Sequence, residues 1–268
     1  MIKLFKKIRQ DLLEKKQLNK YLMYAFGEVI LVMVGILLAL FISNWNSNQK
    51  EIKKEHWYLI NIVEDLEYQK VILSDMKDFN TETIQICKSI LKDYNQHKGF
   101  IKIDSLNQRL NNLLLSYNFP NINNTYTELI SSGQFGLIKD KALSIDIINY
   151  YLNCEESAAN TNSDIVNVFY PEIATVINKF SQVELFDEDV KEGEEYLLEI
   201  DESLNKYIFR LLNETSTKLA LTNAIKTKIL IQNGHLITVE ETLKLNDTLI
   251  KSIDKYLGLT PDMVNNVN

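Results

Sequence analysis

Few residues in this chain can do chemistry, and their spacing narrows what it would be. Cys87 and Cys154 are the two cysteines. They could form a disulfide if their domain lies in an oxidising compartment, but Cys87 falls on the apolar face of a helical pattern, which favours a buried free thiol. The three histidines, His56, His97 and His235, stand far apart. There is no His-x-x-x-His, no Glu-x-x-His of the di-iron bundles and no Cys-x-x-Cys, so neither a metal nor a cofactor is expected. His97 and His235 sit beside Gly99 and Gly234 and read as solvated turn residues, while His56 precedes Trp57. The acidic segment from Asp187 to Glu195 tempts a calcium reading. Counted from Asp187, however, position six is Glu192 where an EF-hand needs Gly, and position twelve is Leu198 where it needs Glu. A solvated loop leading into an acidic first helical turn accounts for it.

The nucleophile and nucleotide motifs are missing as well. No Gly-x-Ser-x-Gly, Walker loop or Gly-x-Gly-x-x-Gly occurs, so no catalytic residue is assigned and an enzyme is not expected. The chain carries a net charge of −7, which opposes binding to nucleic acid.

The most informative carboxylate is Glu28. It interrupts a 22-residue apolar run from Tyr21 to Ile42. About 20 apolar residues at 1.5 Å each match the roughly 30 Å hydrocarbon core of a bilayer. Residues 28, 35, 39 and 42 share a helix face, so Glu28 aligns with the small residues Gly35 and Ala39, where a second helix can approach closely. Two readings of Glu28 stand: part of a transmembrane interface in a homo-oligomer or with another protein, or a side chain that snorkels to the headgroups. One ionisable residue on one span makes no ion pathway. Tyr21, Tyr24 and Trp45 bracket the run as interfacial anchors.

The flanks set a direction. Lys3, Lys6, Lys7, Arg9, Lys15, Lys16 and Lys20 against Asp11 and Glu14 give the first 20 residues +5, leaving −12 for the rest. The excess of cations predicts a cytoplasmic N-terminus, opposed only by Lys50, Lys53 and Lys54 mixed with Glu51 and Glu55. A cleaved signal peptide would begin similarly. The long basic region and the absence of a small-x-small site favour a retained anchor. Ile2, Leu4, Phe5, Ile8, Leu12 and Leu13 fall on one half of a helical wheel, so residues 1–14 read either as a basic amphipathic helix on the inner leaflet or as a tail whose lysines only set topology.

The elements beyond the membrane follow from scarce breakers. No Gly or Pro lies between Gly35 and Gly99. The anchor can therefore continue, with a soft break near 43–48, into a long helix ending near Gln96. Ile52, Leu59, Val63, Leu66, Leu73, Met76, Ile84, Cys87, Leu91 and Tyr94 form its apolar face. Lys70, Lys77 and Asn80 fall on the same seam, so this is a bundle helix rather than a dedicated coiled coil. A helix is predicted from Asp104 to Tyr117, and Thr125 to Glu128 reads as a capping box. Asp140 is expected to cap the next helix, and Pro171 to lie early in another helix or just before it. A long helix over 194–232 is predicted to stop at Asn233-Gly234. Thr238 to Glu241 reads as a second capping box, opening a helix that Gly258 ends. No strand pattern is sustained. The expectation is an all-α chain: residues 1–20 a cytoplasmic basic segment, 21–45 a transmembrane helix, and 46–268 an extracytoplasmic, irregular helical bundle.

Several stretches carry a resemblance. Lys6-Lys-Ile-Arg-Gln10, Lys20-Tyr21, Tyr24-Ala-Phe-Gly-Glu-Val-Ile-Leu-Val32, Gly35-Ile-Leu37 and Asn44-Trp-Asn46, together with the internal Thr125 to Lys141 stretch, resemble a family of Bacteroidota membrane proteins defined by a domain of unknown function. The resemblance implies a single-pass inner-membrane protein of a Gram-negative cell with a periplasmic helical domain. It carries over no catalytic residue. Its Gly27-Glu28 pair favours a role for Glu28.

The function expected is a membrane-anchored scaffold or protein-interaction module. Its partners would be membrane lipid and another envelope protein or a second copy. The alternatives are a small-molecule sensor signalling through a membrane partner, and an accessory subunit of an envelope transporter or motor. An apolar pocket with converging polar groups would favour the sensor, and a solid core with exposed apolar residues the scaffold.

Overall fold

The computed structural model describes residues 18–185, 190–192, 194 and 201–258. The expected amphipathic helix over 1–14 and most of the acidic segment lie outside the described residues, as does the side chain of Tyr21. Among the described residues there is no β-strand, as the sequence predicts. The chain divides into two compact units, Met1–Trp57 and Tyr58–Asn268.

In the first unit the described residues belong to helix α1, Leu18–His97, which continues into the second unit. Gly27 and Gly35 leave it uninterrupted, no Gly or Pro follows before Gly99, and the polar run at 43–48 stays helical. By length and composition it can cross a membrane, and none of its most apolar 18-residue window is buried within the molecule. From Leu22 to Trp45 the side chains are exposed, except at half-buried Ala25 and Glu28.

In the second unit α1 ends where Lys98 turns into the left-handed region at φ 56°. Helix α2 is Leu106–Asn111, extended by a 3₁₀ turn at Asn112–Leu114. It is shorter than the predicted 104–117. Ser105 has φ 53° and cannot continue a right-handed helix, while Leu115 is extended at ψ 143°. Helix α3, Asn124–Ser131, starts one residue before Thr125, so that residue is no cap. Its amide is instead satisfied by Asp65 Oδ2 of α1 at 2.9 Å, a partner invisible to local pattern.

Helix α4, Lys141–Asp164, is capped as expected: Asp140 Oδ1 accepts from the amides of Ala142 and Leu143 at 2.8 and 3.0 Å. It passes without interruption into a π-helical stretch, Ile165–Ala174, and then into α5, Thr175–Asn178. Pro171 lies inside this π stretch instead of opening a helix. The wider winding accommodates a ring without an amide, and the Thr175 hydroxyl donates to the Tyr170 carbonyl at 2.8 Å.

Helix α6 is Glu202–Leu212 and α7 is Thr215–Leu257. The predicted break at Asn233-Gly234 is absent; the chain turns at Asn213-Glu214. A mid-helix glycine costs about 1 kcal/mol, but Lys228, Gln232, His235 and Val239 are all buried around it, and that burial decides the matter. Thr238 is correspondingly not a cap, since its hydroxyl donates to the Gly234 carbonyl at 3.2 Å. Gly258 ends α7 at φ 72°, as expected.

Helices α1 and α7 run antiparallel, pairing Lys70 with Asp247 at 2.7 Å and Lys77 with Glu240 at 3.1 Å. These are the seam lysines that mark α1 as a bundle helix rather than a dedicated coiled coil. The core falls into two clusters. One joins Leu59, Leu66 and Leu73 of α1 to Ile147, Tyr150 and Cys154 of α4 and Val239 and Ile253 of α7. The other joins Cys87 and Ile90 of α1 to Phe100, Leu110, Phe169 and Ile173, and to Leu221 and Ile225 of α7.

Candidate functional site

Between the two apolar clusters each long helix turns polar. On α1 the intervening buried residues include Asn80 and Thr83, on α4 Ser157 and Thr161, and on α7 Lys228, Gln232 and His235. The three α7 residues follow at spacings of four and three, so one helical face carries them inward. This buried polar layer holds Lys228 and His235, two titratable groups whose ionisation burial opposes.

Lys228 is 1% exposed. Its Nζ donates to the Leu115 carbonyl at 2.8 Å and lies 4.2 Å from the centre of the Phe169 ring. Burial pulls its pKa down to about 8, partly opposed by the thiol of Cys87. A lysine near neutrality can act as a nucleophile, but this one is sealed in. Its hydrogen bond satisfies a carbonyl of the non-helical 115–123 segment, which has no ladder of its own. Gln69 serves the same segment by donating to the Pro120 carbonyl at 2.8 Å.

His235 is 7% exposed, and its Nε2 lies 3.1 Å from Asp164 Oδ2. Burial pulls its pKa below the usual histidine value, and Asp164 opposes that shift. The pair borders a polar cleft of about 530 Å³ between α4 and α7, which also presents Glu156, Asn160, Thr238 and Glu241. A base held by a carboxylate is two-thirds of a nucleophilic triad. Among the described residues no hydroxyl or thiol hydrogen-bonds to His235, so the arrangement holds a proton without presenting a nucleophile. His235 is therefore a buried helical residue and not the solvated turn residue expected from Gly234. His97 is exposed at the end of α1, and His56 is exposed on it.

The two cysteines are buried free thiols in separate clusters, so the disulfide left open by the sequence is not formed. Burial pushes the Cys87 thiol up to about 12 and raises that of Cys154. No group of three or more His, Cys, Asp or Glu side chains able to hold a metal occurs among the described residues. Glu28 is half-buried, Gly35 and Ala39 are exposed, and a Cβ added at Gly35 would meet nothing within 4 Å. Tyr24 and Trp45 are exposed, at 38% and 60%.

Sequence reading missed Lys228. It stands seven residues after Leu221 and four after Ala224, both buried, and that spacing marks it as an inward position.

No match appears among curated proteins or among solved structures. A family match begins at Glu28, so the Lys6 to Gln10, Lys20-Tyr21 and Tyr24 to Gly27 stretches lie outside it and the Thr125 to Lys141 stretch lies within it. Residues 28–200, more than half of the 268-residue chain, match the family of unknown function DUF6090, and the chain belongs to that family.

Proposed function

We propose that this protein is a single-pass membrane-anchored scaffold. Its N-terminus is cytoplasmic, the apolar part of α1 sits in the inner membrane of a Gram-negative cell, and the bundle stands in the periplasm. There it holds another envelope protein or a second copy of itself. The observation that carries the reading is the anchor: an apolar helical stretch with none of its best window buried, joined to a bundle whose thiols and near-neutral lysine are locked in the core. Such a chain offers surfaces rather than reactive groups. Two surfaces support the role. In the membrane span, Glu28, Gly35 and Ala39 share a face open at Gly35. In the second unit, Ile60, Tyr68 and Val71 are 46%, 62% and 60% exposed and recur at helical spacing on α1.

Photo-crosslinking in cells, from a reactive residue placed at Ile60, Tyr68 or Val71, tests the scaffold. A discrete adduct with one envelope protein or with the chain itself is expected, and a uniform lipid-only background would sink the proposal. Cysteine crosslinking at Ala39 tests the span. Gly35→Leu should lower the dimer yield about fivefold, and an unchanged yield in both Gly35→Leu and Glu28→Gln would remove this face from the proposal.

A further inference from the structure

A cavity with an apolar base and a cationic hollow adjoin at the C-terminal end of α1. The cavity, of about 340 Å³, is lined mainly by Phe100, Ile103, Leu110, Phe180, Ile208 and Leu212. The hollow, of about 170 Å³, is formed around His97, Lys98, Gly99, Lys102 and Lys218. Both share Phe100, Ile101 and Leu212, so the two spaces meet across one turn of chain. The geometry points to a binding site for a single-chain amphiphile with an anionic head, of the fatty-acid class, its tail in the cavity and its head among the lysines.

Three observations carry this. First, the cavity is a half-open cleft with an apolar base that includes Phe100, Leu110 and Leu212, and it carries Asp104, Ser105, Asn107 and Asn205 in the rest of its lining. Its size lies near the lower end of the roughly 300–1,000 Å³ typical of ligand sites, which suits one chain rather than two. Second, the cations are available. Among the described residues Lys98, Lys102 and Lys218 make no ion pair, although the chain as a whole carries −7. Three uncompensated lysines crowd one hollow, against the single carboxylate of Asp104 at the cavity rim. Third, Lys218 is laid across the junction: a Cβ at Gly99 would stand 3.7 Å from its Cε and 3.9 Å from its Nζ. The end of its side chain, ammonium included, therefore lies against the turn that both spaces share, within the lining of the hollow.

The site is exposed enough to load. Ile101 is 41% and Phe209 49% exposed, while Phe100 and Leu110 at the base are fully buried. Helix α6 supplies one wall through Ile208, and α2 with its preceding turn supplies the other.

The test uses the full chain in phosphatidylcholine nanodiscs, free of detergent, with a diazirine-bearing palmitate as probe. After illumination, labelled peptides are mapped by mass spectrometry. Label is expected on the peptides carrying Phe100 to Leu110 and Ile208 to Leu212. A tenfold excess of unlabelled palmitate should remove most of it, whereas hexadecanol, hexadecyltrimethylammonium and inorganic phosphate should not. Ile208→Trp, which fills the cavity, should cut labelling at least fivefold. Because that change could disturb packing, Lys102→Glu with Lys218→Glu provides a surface counterpart that should do the same with an unaltered melting curve. Label confined to residues 22–42, or equal competition by hexadecanol or the cationic amphiphile, would overturn the proposal. Competition by inorganic phosphate alone would reduce the site to an anion hollow and overturn it equally.

Discussion

The Lys228 ammonium donates to the Leu115 carbonyl at 2.8 Å, across 113 residues of sequence. The bond fastens the non-helical crossing between α2 and α3 to the middle of α7. It also places a charge where water does not reach, at 1% exposure, and the depressed pKa of about 8 measures that cost.

The first prediction follows from linkage. Lysine in the unfolded chain titrates near 10.5, whereas Lys228 in the folded chain titrates near 8. Between those values the unfolded chain binds more protons, so stability rises with pH. The neighbouring Cys87 acts the other way, because its thiol is held up at about 12 from 9 and the folded state loses ground once pH passes 9. The clean window is therefore pH 8 to 9, where the Lys228 contribution is about 1 kcal/mol. Urea unfolding of the reconstituted chain should show that gain, and Lys228→Met should abolish it. An equal slope in both proteins would contradict the assignment.

A second network binds three helices. Tyr150 Oη donates to Gln69 Oε1 at 3.0 Å and accepts from Asn246 Nδ2 at 2.9 Å, and the same Nδ2 donates to the Leu66 carbonyl at 3.0 Å. Gln69 and Asn246 are fully buried. Tyr150→Phe leaves Gln69 Oε1 without its donor, and an orphaned buried acceptor costs about 1–3 kcal/mol. Gln69→Leu removes the donor that serves the Pro120 carbonyl and the acceptor that serves the Tyr150 hydroxyl, and should cost at least as much. The double variant should cost less than the sum of the two, because the pair is coupled. Strict additivity in denaturation would show that the network is not one unit.

The all-α character, the membrane-length run, the Asp140 cap and the Gly258 stop were legible because each is written in local spacing. The capping boxes at Thr125 and Thr238 failed for the opposite reason. Asp65, sixty residues away in sequence, accepts from the Thr125 amide in place of the Glu128 carboxylate that the capping box would have used, and burial on both sides of Gly234 carries α7 through a glycine. The π-helical stretch around Pro171 has no sequence signature of its own. The polar layer was partly readable, since Asn80 stood on the α1 seam. Lys228 and His235 were hidden by the assumption that charge and glycine neighbours mean solvent.

The cysteines give the third prediction. Both thiols are buried and raised in pKa, first by desolvation, so little thiolate forms and little reagent reaches it. Maleimide or a disulfide reagent at pH 8 should label the native chain at least a hundredfold more slowly than the chain in 6 M guanidinium. Mild oxidation of the native chain should leave no Cys87 to Cys154 bond on a non-reducing gel, because the two lie in different clusters. Rapid native labelling would mean that the clusters open readily.

The last prediction concerns acid. His235 is desolvated, and that outweighs the 3.1 Å contact with Asp164; its pKa lies below the 6.5 of the unfolded chain. As pH falls through 6.5 the unfolded histidine takes up a proton that the folded one resists, so the folded state loses stability on acidification. Asp164 is the one opposing influence with a bond to the ring, so Asp164→Asn should lower the His235 pKa further. NMR of the histidine-labelled chain reads this directly, with His235→Gln identifying the resonance. A rise in the pKa on removing the Asp164 charge would show that the carboxylate does not hold the ring, and that the cleft between α4 and α7 is organised by another contact.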